Sequence, residues 1–236
     1  MSERPQCVKC PRMLCYPNIA SDEHPSFDEA PRFCPTKLKK DIVDESIREY
    51  MKDDVREFAR LASVQEFQCY ERTPTGFRTV IPRMEETIQF AHKNSFKKLG
   101  LAFCVGLVNE ARTVTQLLEA NGFEVASVCC KAGAIPKEVI GIKETEKIPG
   151  PGRYESMCSP ITQAEILNSE EVEFTIMLGL CVGHDTLFMK YCKSPMTVLA
   201  VKDRVTGHNP LAAVYLSHSY YARLILPSLG PSPDEQ

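Results

Sequence analysis

No run of about 18 apolar residues occurs in the chain, so no transmembrane helix is expected. The first ten residues, MSERPQCVKC, lack the apolar core of a secretory signal, so the expected location is the cytoplasm. Positive charge is not in excess: 28 lysines and arginines stand against 31 acidic residues. A protein that wraps nucleic acid is normally basic, so no nucleic-acid partner is expected. G-x-S-x-G, Walker and G-x-G-x-x-G patterns are missing too, which leaves the commonest nucleophile and nucleotide motifs without support.

What the chain has instead is cysteine, eleven in 236 residues. In a reducing compartment clustered thiols serve metals or chemistry rather than disulfides. The count is odd, so no purely pairwise scheme accommodates them all. Some are expected to be small buried hydrophobes, as isolated cysteines usually are. Cys69 and Cys192 fall inside helical patterns and are read that way.

Residues 1–36 form the first segment. They carry Cys7, Cys10, Cys15 and Cys34 among Pro5, Pro11, Pro17, Pro25, Pro31 and Pro35. Such a stretch cannot build a core of its own and needs a staple, for which a metal is the natural choice. The cysteines read C-x2-C, four residues, C, eighteen residues, C. C-x2-C supplies two thiolates from one tight turn, and four ligands complete a tetrahedron. Cys10 and Cys34 each precede proline, as one ligand does in a ferredoxin run. Zinc and an iron–sulfur cluster both suit these four positions. The competing reading is unligated thiols. His24 is a spare ligand, although its acidic loop favours exposure.

Residues 37–96 read as a helical segment. Leu38, Ile42, Ile47, Met51, Val55, Phe58 and Leu61 recur near helical spacing, which predicts helix over 37–72 with a break before Asp53 or Asp54. Thr73-Pro74-Thr75-Gly76 signals a turn, and a further helix is expected over 83–95. Residues 97–225 read differently. Short apolar runs at 99–103, 123–128, 174–180 and 196–201 alternate with helical patterns that follow Gly106 and span 159–168, 184–193 and 210–222. This is the signature of an α/β domain, a parallel sheet built from βαβ units. The tail, 226–236, is expected to be disordered.

One resemblance is internal. Gly100–Gly106 and Leu178–Gly183 each end an apolar run in Cys-Val-Gly and open a helix. Two such units would set two Cys-Val-Gly loops at the carboxyl edge of one sheet, at a topological switch point if their strands are neighbours. Cys104, Cys130, Cys158 and Cys181 would then converge there, each near a helix start that favours thiolate. Cys129 adjoins the group. Cys158 is followed by Ser159-Pro160, a cap and first-turn proline. These four are expected to hold a second cofactor or redox site; otherwise they are small residues under short loops. His184, Asp185, Lys202 and Asp203 fall at the same edge. Cys104, Cys181, His184 and Lys202 are the candidate catalytic groups, against a plainer reading of caps and solvated charges. His208 reads as part of a helix-entry turn, and His92 and His218 as helix-face residues.

Several segments carry a wider resemblance: the N-terminal cysteine group, AFCVGL at 102–107, SVCCK at 127–131, MCSPITQAEILN at 157–168, GLCVGHD at 179–185 and VKDRVTGHNP at 201–210. Together they resemble a family of prokaryotic proteins that carry a domain of unknown function and are described as predicted metal-binding proteins. The family has Asn where this chain has Ser159. The resemblance implies metal binding by cysteine and assigns no reaction. The expected function is therefore a cysteine-ligated metal- or cluster-binding protein serving electron transfer or sensing, with a small molecule or redox protein as partner. The rivals are a thiol- or cluster-dependent enzyme at the sheet edge, and a small-molecule-binding module with a structural zinc.

Overall fold

The structure is a computed structural model describing residues 4–16 and 26–226; the expectations for His24 and for the 227–236 tail fall outside these residues. It divides into two units, Met1–Gln68 and Cys69–Gln236.

The first unit begins with a 3-10 turn at Cys7–Lys9, then α1 (Pro35–Leu38), α2 (Lys40–Tyr50) and α3 (Asp53–Gln68). The Gln6 amide donates to the Phe33 carbonyl at 3.3 Å, which brings the strand before Cys7 beside the one before Cys34. The helical pattern breaks at Met51-Lys52, before Asp53, as the acidic pair indicates. No residue of α2 is buried. Pairs such as Arg48–Glu45 at 2.9 Å and Arg60–Glu57 at 2.7 Å run along the exposed faces, and each contributes little.

The second unit opens with a departure from the sequence pattern. Residues 70–72 are strand rather than helix: β1 (Tyr70–Thr73) pairs antiparallel with β2 (Gly76–Thr79). The turn at 73–76 makes a hairpin available, and β-favouring side chains take it. Glu71 and Arg78 face each other in this register, with the guanidinium donating twice to Oε2 at 2.9 and 2.6 Å.

Next come α4 (Arg83–Lys93), β3 (Lys98–Phe103), α5 (Val108–Ala120), β4 (Glu124–Cys129), α6 (Pro160–Ser169), β5 (Phe174–Leu178), α7 (His184–Tyr191), β6 (Met196–Ala200) and α8 (Leu211–Tyr215). The strands β4-β3-β5-β6 form one parallel sheet in that order. The chain steps outward from β3 to β4, then returns across β3 to β5. Right-handed crossovers place α5 on one face and α6 with α7 on the other, where α6 and α7 pack together. All five residues of β5 are buried, and Leu99, Leu101, Leu118, Leu167, Ile176 and Phe188 are fully enclosed around them. The run expected to 180 stops at Leu178 because Gly179 takes φ +68°. The helix expected over 210–222 covers only 211–215. The Ser219 hydroxyl bonds the Leu216 carbonyl at 3.2 Å, and such local bonding competes with helix. Among the described residues no helix is long and apolar enough to cross a membrane.

A cysteine group at the carboxyl edge of the sheet

β3 and β5 are neighbours whose connections leave in opposite directions, and the carboxyl ends at such a switch point are where sheets of this kind place ligands. Three cysteines arrive there, two of them by continuing the sheet's own hydrogen bonding. Cys104 follows β3 and donates its amide to Leu178 O at 3.1 Å; Cys130 follows β4 and donates to Phe103 O at 2.9 Å. Cys158 arrives from a long excursion over residues 131–157. That excursion closes on itself: Met157 N donates to Ile135 O at 2.8 Å and Lys131 Nζ to Ser156 O at 2.6 Å. Farther out, the Lys147 ammonium, 3% exposed, is held by Glu138 and Glu144. Ser159 N then donates to Cys130 O at 2.7 Å, which delivers Cys158 to the end of β4.

The side chains meet as the backbones do. The Cys130 sulfur accepts the Val105 amide at 3.3 Å, and Cys130 lies near enough to Cys104 and Cys158 for each thiol to shift the titration of its neighbour. Cys104 and Cys130 are buried, at 6% and 2% exposure, while Cys158 is half-buried. Cys130 holds Cys104 down to about 5, reinforced by the Gly106 amide and the Lys202 charge against the opposing effect of burial. Cys158 is also held at about 5, first by Cys130 and then by the charges of Lys131 and His184. Cys130 is pushed far up, because it shares its proton with both neighbours and is buried.

Lys202 reaches this group from β6. Its stem passes over Gly179, and its ammonium stands 3.0 Å from where a Cβ on Gly106 would lie. Both glycines are thus explained by close approach: a Cβ on Gly179 would fall 2.0 Å from Leu107 Cδ1. Cys181 sits beyond β5, half-buried, and its sulfur accepts Arg204 Nη2 at 3.0 Å. Cys129 belongs to β4 itself, where alternation turns it to the other side from Cys130. The flanking charges take the plainer role: Asp185 accepts from Thr186 N at 2.7 Å, and Asp203 accepts from Val205 N and Thr206 N at 2.9 Å each. His208 Nδ1 accepts from Asp203 N at 3.2 Å, closing the same turn.

Gln163 was not legible as a site residue. It is fully buried in α6, and its Nε2 donates to Phe103 O at 3.2 Å and Val128 O at 2.8 Å, which ties the ends of β3 and β4 together beneath the cysteines. No sequence signal marks it out, since α6 also carries Thr162, Glu165, Asn168 and Ser169. The Gln163 Oε1 is itself buried without a hydrogen-bond partner, as are Ser159 Oγ, His184 Nδ1 and Thr206 Oγ1.

In the first unit Cys10 is held below the ordinary thiol range by the backbone amides of Arg12 and Leu14, with Met13 adding to them. Its own amide donates to Cys7 O at 2.9 Å. Among the described residues no group of three or more histidine, cysteine, aspartate or glutamate side chains is placed to hold a metal ion.

Fold and site together define a parallel α/β protein with a buried cysteine group at its switch point. Residues 34–199 match the family described as "Protein of unknown function (DUF1847)", and the chain belongs to that family. It is also 38% identical over 221 residues, 94% of this chain and 98% of the relative, to "Uncharacterized protein MJ0455" of Methanocaldococcus jannaschii.

Proposed function

We propose that this protein binds a soft metal through Cys104, Cys130 and Cys158 at the carboxyl edge of its sheet. The observation that supports this reading is that backbone hydrogen bonds bring Cys104, Cys130 and Cys158, two of them buried, from three separate segments to one sheet edge. Crowding thiolates away from water is unfavourable unless a cation neutralises them. Lys202 and the Gly106 amide offset only the charge at Cys104. A metal would take the place of the shared proton. Zinc at about 2.3 Å from each sulfur sets the sulfurs about 3.8 Å apart, close to sulfur contact distance. An iron–sulfur cluster would have to push them further apart, so zinc is the better fit. Bound zinc would supply a Lewis acid or simply a rigid anchor for the excursion that carries Cys158. Cys7, Cys10, Cys15 and Cys34 form a second proposed site, with a structural role. The Gln6–Phe33 bond and the amides around Cys10 support it.

Metal analysis and the visible spectrum of anaerobically purified protein test this. The expected result is a colourless protein with zinc, from which Cys130→Ser removes about one equivalent and Cys7→Ser/Cys10→Ser another. A brown protein would replace zinc by a cluster, as the electron-transfer reading requires. A wild type that takes up no metal would end the proposal.

The second reading is a thiol-dependent enzyme acting on a small molecule. The half-exposure of Cys158 and Cys181 favours it, because a nucleophile must be reached. Cys158 would attack and His184 would carry the proton. Rapid alkylation of Cys158 in metal-free wild type would support this reading over the first.

A further inference from the structure

We infer that Cys104 and Cys130 form a redox pair, two thiols that a peroxide closes to a disulfide across the ends of β3 and β4. The inference does not rest on a bound metal. Phe103 faces Cys129 in the parallel register, and the Cys130 amide carries the pattern one step further by donating to Phe103 O at 2.9 Å. The next residues along, Cys104 and Cys130, therefore stand opposite each other and on the same face of the pleat. Neighbouring strands lie about 4.8 Å apart, inside the Cα separation of about 4.4–6.8 Å that a disulfide spans. The sulfurs share one turn. Cys130 Sγ accepts the Val105 amide at 3.3 Å, and Cys104 Sγ lies 4.0 Å from where a Cβ on Gly106 would stand. Two other cysteines of this edge lack that relation. Cys129 turns to the opposite face, and the Cys181 sulfur is engaged by Arg204 Nη2 at 3.0 Å.

The oxidant must reach a nearly enclosed sulfur, which selects a small one. Cys104 is 6% exposed and Cys130 2%. Gly106 is exposed and has no side chain, so the turn beside Cys104 is open where a Cβ would stand. Lys202 Nζ lies 3.0 Å from that same point, which sets a cation and the Cys104 sulfur around one narrow gap. A nearby cation makes a thiol more reactive. Hydrogen peroxide, with only its two oxygens, suits the gap. The Cys104 sulfur attacks one peroxide oxygen and the O–O bond breaks; the other oxygen leaves as water with the thiol proton, and the sulfur becomes a sulfenic acid. The Cys130 sulfur then attacks the Cys104 sulfur. The S–S bond forms, the S–O bond breaks, and the hydroxyl leaves as a second water with the Cys130 proton. The two thiols lose two electrons and the peroxide gains them. Cys130, the more enclosed of the two, is the resolving thiol.

Peptide mapping by mass spectrometry without reductant tests the pair. The full-length chain is treated with hydrogen peroxide in the presence of a chelator, so that metal binding does not enter the result. Trypsin cuts after Lys98, Arg112 and Lys131, and the expected product is peptide 99–112 joined to peptide 113–131. The joined pair should persist in Cys129→Ser, vanish in Cys130→Ser and separate on reduction with dithiothreitol. In Cys130→Ser the sulfenic acid on Cys104 has no resolving thiol, so dimedone should label Cys104; that labelling also shows that the variant keeps a folded site. Loss of the joined pair in Cys129→Ser would overturn the assignment. So would a wild type that joins 113–131 to 154–190, the peptide of Cys158 and Cys181, or one that leaves Cys104 and Cys130 as free thiols while other cysteines oxidise. Metal uptake by the reduced protein is measured separately, so either reading fails alone.

Discussion

The amide of Ser159 donates to the carbonyl of Cys130 at 2.7 Å, and this bond places Cys158 beside Cys130 although 28 positions separate the two cysteines in the chain. Without it the excursion from β4 to α6 would have no fixed return point. The cysteine group therefore depends on backbone geometry before any metal is considered.

Lys202→Met is expected to raise the pKa of Cys104 in metal-free protein. Cys104 and Cys158 are both held at about 5 against an ordinary value of 9.0, so the wild type should show thiolate ultraviolet absorbance at neutral pH. A group whose pKa is lowered by folding stabilises the fold above its unfolded pKa. That contribution fades as pH falls through about 5, and the absorbance should fade with it. In Lys202→Met part of this loss should move to higher pH. An unchanged titration would show that Lys202 does not act on Cys104.

Gly179→Ala should destabilise the fold by about 2–4 kcal/mol, from left-handed strain and overpacking together. The new Cβ meets Leu107 Cδ1 at 2.0 Å, at φ +68°. Adding Leu107→Ala should relieve the clash but not the strain, so the urea midpoints of the two single variants should not add.

Replacing Gln163 by Leu should leave Val128 O without its side-chain donor, at a cost of about 1–3 kcal/mol, while Phe103 O keeps the Cys130 amide. Because these carbonyls end β3 and β4, the variant should also retain less metal at the edge. Full metal retention with lowered stability would restrict Gln163 to a structural role.

Glu173 accepts the amides of Lys97 at 2.5 Å and Lys98 at 2.9 Å, which hold its carboxyl below the usual range. The stability it contributes is present above the unfolded value of about 4.3 and is lost as pH falls through the lower folded value. Denaturation curves of wild type and Glu173→Gln should therefore differ at neutral pH and converge in acid. A constant offset at every pH would exclude the carboxylate as the cause.

Element types were largely legible because they rest on local periodicity. The four apolar runs are the four strands. Asn121-Gly122 ends α5 and Pro160 opens α6, although the Ser159 hydroxyl makes no capping bond. One misreading falls where a non-local partner decided. Tyr70–Arg72 continued a helical pattern, but Gly76–Thr79 offered them a strand to pair with. At the site, the strand-end positions of Cys104 and Cys130 could be anticipated from the Cys-Val-Gly and Cys-Cys-Lys segments. The part of Gln163 could not, because its two acceptors lie 60 and 35 positions away in the chain.

By itself, the sequence determined the parallel α/β class and the carboxyl-edge location of the cysteines, since alternating short apolar runs and amphipathic helices admit few other arrangements. Only the tertiary structure decided which cysteines meet. Strand order made β3 and β4 neighbours, the Ser159–Cys130 bond brought back Cys158, and Arg204 engaged Cys181. Contacts of that kind follow from the path of the backbone in space, and spacing along the chain does not encode them.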